Sequence, residues 1–114
     1  ADFCQLSGND DMAVAFNGAG GTGCISVTAN VAPRLCAEVK KACQAGDFAL
    51  ARALDDRLHP LHGALFADAS PGPTKYALTR VASWMSGELR LPMTPPSEEA
   101  RKAVDRALEI AELV

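Results

Sequence analysis

The chain has 114 residues, of which 48% are hydrophobic, and a formal net charge of −3, which suits one domain with a single core. Its basic residues are scattered, which argues against a nucleic-acid-binding face, and its apolar runs are shorter than the roughly 20 residues that a membrane helix needs. No signal-peptide pattern opens the sequence, so we expect a cytoplasmic protein.

The cysteines and histidines predict neither disulfides nor a metal site. Four cysteines are present: Cys4, Cys24, Cys36 and Cys43. They form no C-x-x-C pair, and we interpret them as reduced, mostly buried thiols. His59 and His62 lie three residues apart on a predicted helix, but no carboxylate spacing completes a metal site. We therefore expect no metal and no cofactor.

The first third of the chain predicts a strand–helix–strand unit. The apolar run 3–7 is typical of a buried strand. Asn9 or Asp10 is expected to cap a short helix, with Asp11 in its first turn, an interpretation that we favour over acid–base chemistry by the adjacent carboxylates. The β-branched run 24–29 predicts a second strand. Such a unit usually forms a parallel sheet.

The segment GAGGTG, residues 18–23, satisfies the pattern G-x-G-x-x-G of dinucleotide-binding loops. That loop requires a strand before the glycines and a helix after them. Here the predicted order is reversed, and no Lys-Ser or Lys-Thr follows that would indicate a P-loop. We interpret the glycines as a tight turn from a helix into a strand, where positive φ angles and close packing are needed.

From Pro33 onward the pattern is helical. A first helix ends at Gly46, and a second begins at the capping residue Asp47, with Pro60 expected to bend it. A third helix follows PGPT, the proline-rich segment 89–97 is extended, and Ser97 caps the last helix. The predicted buried positions are Leu35, Val39, Ala42 and Cys43 in the first helix, leucines 50, 54, 58, 61 and 65 in the second, and Ala100, Val104, Ala107, Leu108 and Ala111 in the last.

Two parallel strands make a poor sheet by themselves because both outer edges carry unpaired backbone groups. The sequence therefore predicts the end of a larger α/β fold.

Three ordered motifs carry a resemblance to a known family. LSGNDD (6–11), GGTGCISVTANVAP (20–33) and LRLPMTPPS (89–97) resemble the C-terminal part of the 4-hydroxy-tetrahydrodipicolinate synthase family, formerly called dihydrodipicolinate synthase, and the likeness runs over essentially the whole chain. It implies an α/β fold, the C-terminal piece of a (β/α)8 TIM barrel followed by a helical bundle. Residues 1–45 would hold the last two barrel units, with strands at 3–7 and 24–28, and residues 46–114 the helical appendix.

The resemblance also implies a function. The family condenses pyruvate with L-aspartate 4-semialdehyde through a lysine Schiff base, on the path to lysine and diaminopimelate, and its members are usually homo-oligomers. The Schiff-base lysine belongs to the sixth strand, before residue 1, so no catalytic residue is expected here. The lysines present are Lys40, Lys41, Lys75 and Lys102, and none follows a strand pattern. Without the N-terminal barrel portion, the chain is expected to be inactive.

Two residues match substrate-binding positions of the family. Ile25 matches the position whose main chain lines the pyruvate pocket, while its side chain is expected to pack in the core. Gly8 matches a residue at the barrel mouth near the semialdehyde. Asn9 and Ser70 depart from the Asp and Asn often found at their positions, and Tyr76 is interpreted as a packing residue rather than a proton shuttle.

Two alternatives remain open at this stage. One is a sister pyruvate-dependent aldolase that acts on a sugar acid. The other is a non-catalytic half-barrel that self-associates through its strand edges and the apolar side chains of Ile25 and Val27.

Overall fold

The computed structural model describes residues 3–114. Within them lie two strands and five α-helices, in the predicted order. They are β1 (Leu6–Ser7), α1 (Ala13–Gly18), β2 (Gly23–Cys24), α2 (Pro33–Gln44), α3 (Phe48–Ala64), α4 (Gly72–Val81) and α5 (Glu98–Ile110). Short 3-10 turns at Asp10–Met12 and Thr28–Asn30 follow the two strands.

The two strands pair in parallel, as the sequence predicts, with Leu6 opposite Gly23 and Ser7 opposite Cys24. Each strand is only two residues long, so the predicted strand lengths are wrong. β2 stops at Cys24 because the chain turns after Ile25, and the amides of Val27 and Thr28 bind a side chain instead of a neighbouring strand.

The glycine-rich segment connects the end of α1 to the start of β2, which confirms the interpretation as a helix-to-strand turn. Gly20 has a φ of +105°, a conformation that L side chains rarely adopt. A Cβ atom at Gly21 would lie 2.8 Å from the carbonyl oxygen of Phe16. Both positions therefore require glycine for reasons of backbone geometry.

The helix boundaries follow local signals in the sequence. α2 ends where Gly46 adopts a φ of +75°, and the amides of Gly46 and Asp47 return to the carbonyl groups of Cys43 and Ala42. The Asp47 carboxylate accepts a hydrogen bond from the Leu50 amide at 3.0 Å, and this bond caps α3. Ser97 caps α5 in the same way. Pro60 lies inside α3 without ending it.

One hydrophobic cluster runs from Val31 to Leu108 and draws on helices α2 to α5. The predicted apolar positions of α2 and α5 are buried. Of the leucines predicted for the second long helix, Leu58, Leu61 and Leu65 (directly after α3) are buried, Leu54 is half-buried and Leu50 is exposed. The cluster takes residues from both sides of the boundary predicted at residue 45, and that division stays a prediction. Across residues 3–114 no helix is long and apolar enough to cross a membrane.

Candidate functional site

The carboxyl ends of β1 and β2 lie side by side at one edge of the sheet. Continuing the register places Gly8 next to Ile25, and the Ile25 amide donates to the Ser7 carbonyl oxygen at 2.8 Å. The Asn9 amide instead donates to the Ser7 side-chain oxygen at 3.2 Å, so the strand ladder ends here. The structure thus places side by side the two residues for which the family resemblance implies substrate binding.

The side chain of Ile25 is 70% exposed, so the expectation that it packs in the core is wrong for this chain. The residue follows the last paired position of a two-stranded sheet, and in the described part of the chain little covers it. The hydrogen bond to Ser7 holds the Ile25 amide, while the side chain is exposed.

Asp10 is buried and organises the loop that follows β2. Its carboxylate accepts hydrogen bonds from the amides of Val27 at 2.9 Å and Thr28 at 3.1 Å, and from the hydroxyl of Ser26. Ser26 in turn accepts from the Ala29 amide at 2.8 Å. Hydrogen bonds to an ionised carboxylate are stronger than neutral ones, so the loop is held firmly.

The prediction that Asn9 or Asp10 caps the following helix is therefore wrong. Neither the 3-10 turn at Asp10–Met12 nor α1 has a side-chain cap, because the carboxylate of Asp10 points across the sheet edge to the other loop. The sequence does hold a signal for this contact. In a parallel sheet the loops after both strands meet at one edge, and an acidic residue after β1 then faces Ser26 and Thr28 after β2.

His62 links the same loop to helix α3, a role that its spacing from His59 does not predict. Its ring Nδ1 lies 2.7 Å from the Thr28 hydroxyl oxygen, and its Nε2 lies 3.2 Å from an Asp55 carboxylate oxygen. His62 is only 5% exposed, whereas His59 points outward. Among the described residues no group of three or more side chains could hold a metal ion.

Two cavities flank this network. A groove of about 420 Å³ lies between α1, α2 and the strands, and a second cavity of about 330 Å³ lies beside Gly8, Asn9 and Phe66. Asp10 and His62 line both of them. The second cavity therefore opens at the strand edge where Gly8 lies, the edge at which α/β barrels carry their chemistry.

The thiols beside the first groove are held in the protonated form. Burial, reinforced by the negative charge of Asp10, raises the pKa of Cys36 to about 11 and also raises the pKa of Cys24. Only the thiolate is a good nucleophile, so these groups are poorly suited to covalent chemistry at neutral pH. Cys43 is buried, Cys24 and Cys36 are half-buried and Cys4 is exposed, so the expectation of mostly buried cysteines is wrong.

The lysines and Tyr76 occupy structural positions. Lys40 donates to the Asn17 side chain at 2.6 Å, Lys75 donates to the Glu88 carbonyl oxygen, and Lys102 pairs with Glu98 on the exposed face of α5. Lys41 is exposed. The Tyr76 hydroxyl donates to Asp105 at 2.8 Å. A lysine activated for attack on a ketone needs surroundings that favour the neutral amine, whereas Lys40, Lys75 and Lys102 each contact a polar partner and Lys41 faces solvent.

Comparison with known proteins gives a consistent result. Residues 1–111 match the family described as the Dihydrodipicolinate synthetase family. The 4-hydroxy-tetrahydrodipicolinate synthase of Rhizorhabdus wittichii is 67% identical over 107 residues, which cover 94% of this chain and 37% of that protein. This chain thus spans well under half the length of the relative that it matches.

Solved structures agree with this match. The dihydrodipicolinate synthase of Thermotoga maritima superposes with a TM-score of 0.93 at 37% identity, over 99% of this chain and 38% of its own. The chloride-inhibited enzyme of Acinetobacter baumannii, solved in complex with pyruvate, gives a TM-score of 0.91 at 35% identity, over 98% of this chain and 38% of its own. The fold prediction, a C-terminal piece of a TIM barrel with a helical bundle, is confirmed.

Proposed function

The chain belongs to the dihydrodipicolinate synthetase family, and on this basis we propose that the protein carrying it condenses pyruvate with L-aspartate 4-semialdehyde. The observation that carries the proposal is the 67% identity to an enzyme named for this reaction over almost the whole chain. Because the chain spans only 37% of that relative, the activity is a property of the whole protein.

The proposed chemistry requires a lysine whose amine attacks the pyruvate ketone. A carbon–nitrogen bond forms, water leaves, and loss of a methyl proton then gives an enamine that adds to the aldehyde carbon. The lysine is expected from a barrel strand that precedes this chain. The exposure of Lys41 and the polar partners of Lys40, Lys75 and Lys102 support this assignment.

In this proposal the chain contributes one wall of the substrate pocket. Ile25 offers its main chain to pyruvate, and Gly8 leaves room for the semialdehyde at the barrel mouth. The open space around Gly8, where an added Cβ would meet nothing within 4 Å, is compatible with a substrate approaching the backbone. The chain makes this wall functional only when the preceding barrel strands cover Leu6 and Ile25, so we expect it to be inactive alone.

We also propose that the complete protein is a homo-oligomer. Trp84 and Leu91, in the irregular segment between α4 and α5, are 81% and 90% exposed in this chain. Large apolar side chains at such exposure are typical of surfaces that another part of the protein or a second subunit covers.

The test is an intact-mass measurement before and after treatment with pyruvate and borohydride, which reduces a Schiff base to a stable adduct. The complete protein should gain one pyruvate-derived adduct on a lysine N-terminal to residue 1, and this chain alone should gain none. An adduct mapped to any of the four lysines of this chain would overturn the proposal. Comparing L-aspartate 4-semialdehyde with sugar aldehydes as second substrate then separates the synthase from a sister aldolase.

A further inference from the structure

We infer that His62 is a positioning residue: through Thr28 it fixes the main chain at Ile25 that forms the pyruvate pocket. The inference rests on the proposed function, since it concerns the pocket of that reaction. It assigns to helix α3, outside the two strand units, an indirect influence on substrate binding.

The contacts of Thr28 carry the first step. Thr28 is fully buried, its amide donates to Asp10 at 3.1 Å, and its hydroxyl oxygen lies 2.7 Å from His62 Nδ1. Its carbonyl oxygen accepts from the amides of Val31 and Ala32, both at 2.9 Å. Every polar group of Thr28 thus has a partner, and His62 is the partner that comes from a different helix.

The orientation of the His62 ring carries the second step. An ionised carboxylate only accepts hydrogen bonds, so the contact with Asp55 places a hydrogen on Nε2. In the neutral ring Nδ1 then accepts the hydrogen of the Thr28 hydroxyl group. Asp55 therefore sets the tautomer and the ring angle, and the ring sets the position of Thr28.

The short path from Thr28 to Ile25 carries the third step. Only Ser26 and Val27 separate the two residues, and both are bound to the Asp10 carboxylate. A loop held this tightly has little freedom to absorb a shift of Thr28, so the shift must reach Ile25. One backbone hydrogen bond holds the Ile25 amide to Ser7. A shift of Thr28 would therefore rotate the Ile25 carbonyl group while the Ile25 amide stays in place.

Two pairs of variants in the complete protein test the inference. His62→Asn keeps a polar atom close to the Nδ1 position and thus the contact with Thr28, whereas His62→Gln places its amide near the Nε2 position and loses it. Thr28→Ser keeps the hydroxyl group and Thr28→Val removes it with little change of shape. Leu108→Ala, in the buried face of α5, removes no hydrogen-bond partner of the loop and is the control for loss of stability alone.

We expect His62→Gln and Thr28→Val each to raise the KM for pyruvate by about fivefold, the effect of one hydrogen bond, with kcat changed much less. Their double variant should be no worse than either single one. Hydrogen exchange of the amides of residues 25–28 should quicken in these two variants only. His62→Asn, Thr28→Ser and Leu108→Ala should keep the original KM even where their unfolding midpoint falls.

Equal KM values for His62→Gln and His62→Asn, or a raised KM in Leu108→Ala, would overturn the inference and leave the proposed function standing. Failure of the unsubstituted protein to form a pyruvate adduct would overturn the proposed function and the inference with it. If the His62 variants do not fold, the comparison of Thr28→Val with Thr28→Ser tests the inference, because Thr28→Val retains the shape of the side chain.

Discussion

The carboxylate of Asp10 accepts a hydrogen bond from the amide of Thr28, eighteen residues further along the chain, at 3.1 Å. This bond joins the loops that follow two neighbouring parallel strands. It holds the strand ends at a fixed spacing where each strand itself contributes only two paired residues.

Replacing Asp10 should therefore lower the free energy of unfolding more than replacing a surface carboxylate does. Asp10→Asn places an amide group against three donors, and we expect the free energy of unfolding of the complete protein to fall by about 2 kcal/mol. Asp11→Asn is the matched control, because Asp11 is exposed one residue away. Urea denaturation of both variants measures the difference, and equal midpoints would show that the Asp10 contacts do not stabilise the fold.

The second prediction concerns the stability of variants at glycine positions. Gly21→Ala would bring a Cβ atom within 2.8 Å of the Phe16 carbonyl oxygen and against the Phe16 ring, so the turn must shift and we expect a loss of about 2 kcal/mol. Gly63→Ala, inside α3, meets nothing within 4 Å and should stabilise the protein by about 0.5–1 kcal/mol. Thermal unfolding of the two variants should show shifts of opposite sign, and a neutral Gly21→Ala would count against a backbone role.

The third prediction is that Tyr76 has a structural role, because its hydroxyl group donates a hydrogen bond to Asp105. Burial and the negative charge of Asp105 raise the pKa of Tyr76, so the hydroxyl group stays protonated at neutral pH. Tyr76→Phe should lower the free energy of unfolding by about 1 kcal/mol and leave kcat unchanged. A proton-transfer residue would instead lose roughly 100-fold or more in kcat, which steady-state kinetics would reveal.

The raised pKa of Cys36 predicts how the thiols respond to pH. Its value of about 11 lies above the ordinary 9.0, so the folded protein disfavours the thiolate. The folded state therefore loses stability progressively as the pH rises from about 9 to about 11, where the unfolded chain has released this proton and the folded protein still holds it. Alkylation of Cys36 by iodoacetamide should be slow at neutral pH and quicken by about tenfold per pH unit below its pKa. The exposed Cys4 is the internal comparison, and equal rates at neutral pH would contradict the prediction.

The helices could be predicted well from the sequence because their signals are local. Asp47 and Ser97 cap helices that begin at the next residue, and Gly46 ends α2 with the positive φ expected of it. The predicted apolar positions of α2 and α5 are buried because the helical period of 3.6 residues determines which side chains share a face. Leu50 in α3 continues its leucine pattern but is exposed, since it lies in the first turn of the helix beyond the core.

The candidate site was predicted less well because its contacts join distant parts of the chain. The end of β2 depends on a carboxylate after β1, and the β-branched run after Cys24 carries no sign of this competition. His62 depends on the docking of α3 against the loop at Thr28. The substrate-binding role of Gly8 and Ile25 rests on the family resemblance and stays a prediction, and the structure adds that the two residues are neighbours in register.

The location of the buried cluster bears on the order in which this part of the protein folds. Within residues 3–114 the cluster lies between Val31 and Leu108, so helices α2 to α5 can consolidate on contacts of their own before the sheet is complete. In a closed barrel the last strand pairs with the first, which makes β2 one side of the final seam. We expect closure of that seam to be the late step of folding, and the interval before it to be the time when the strand edges can pair with another chain.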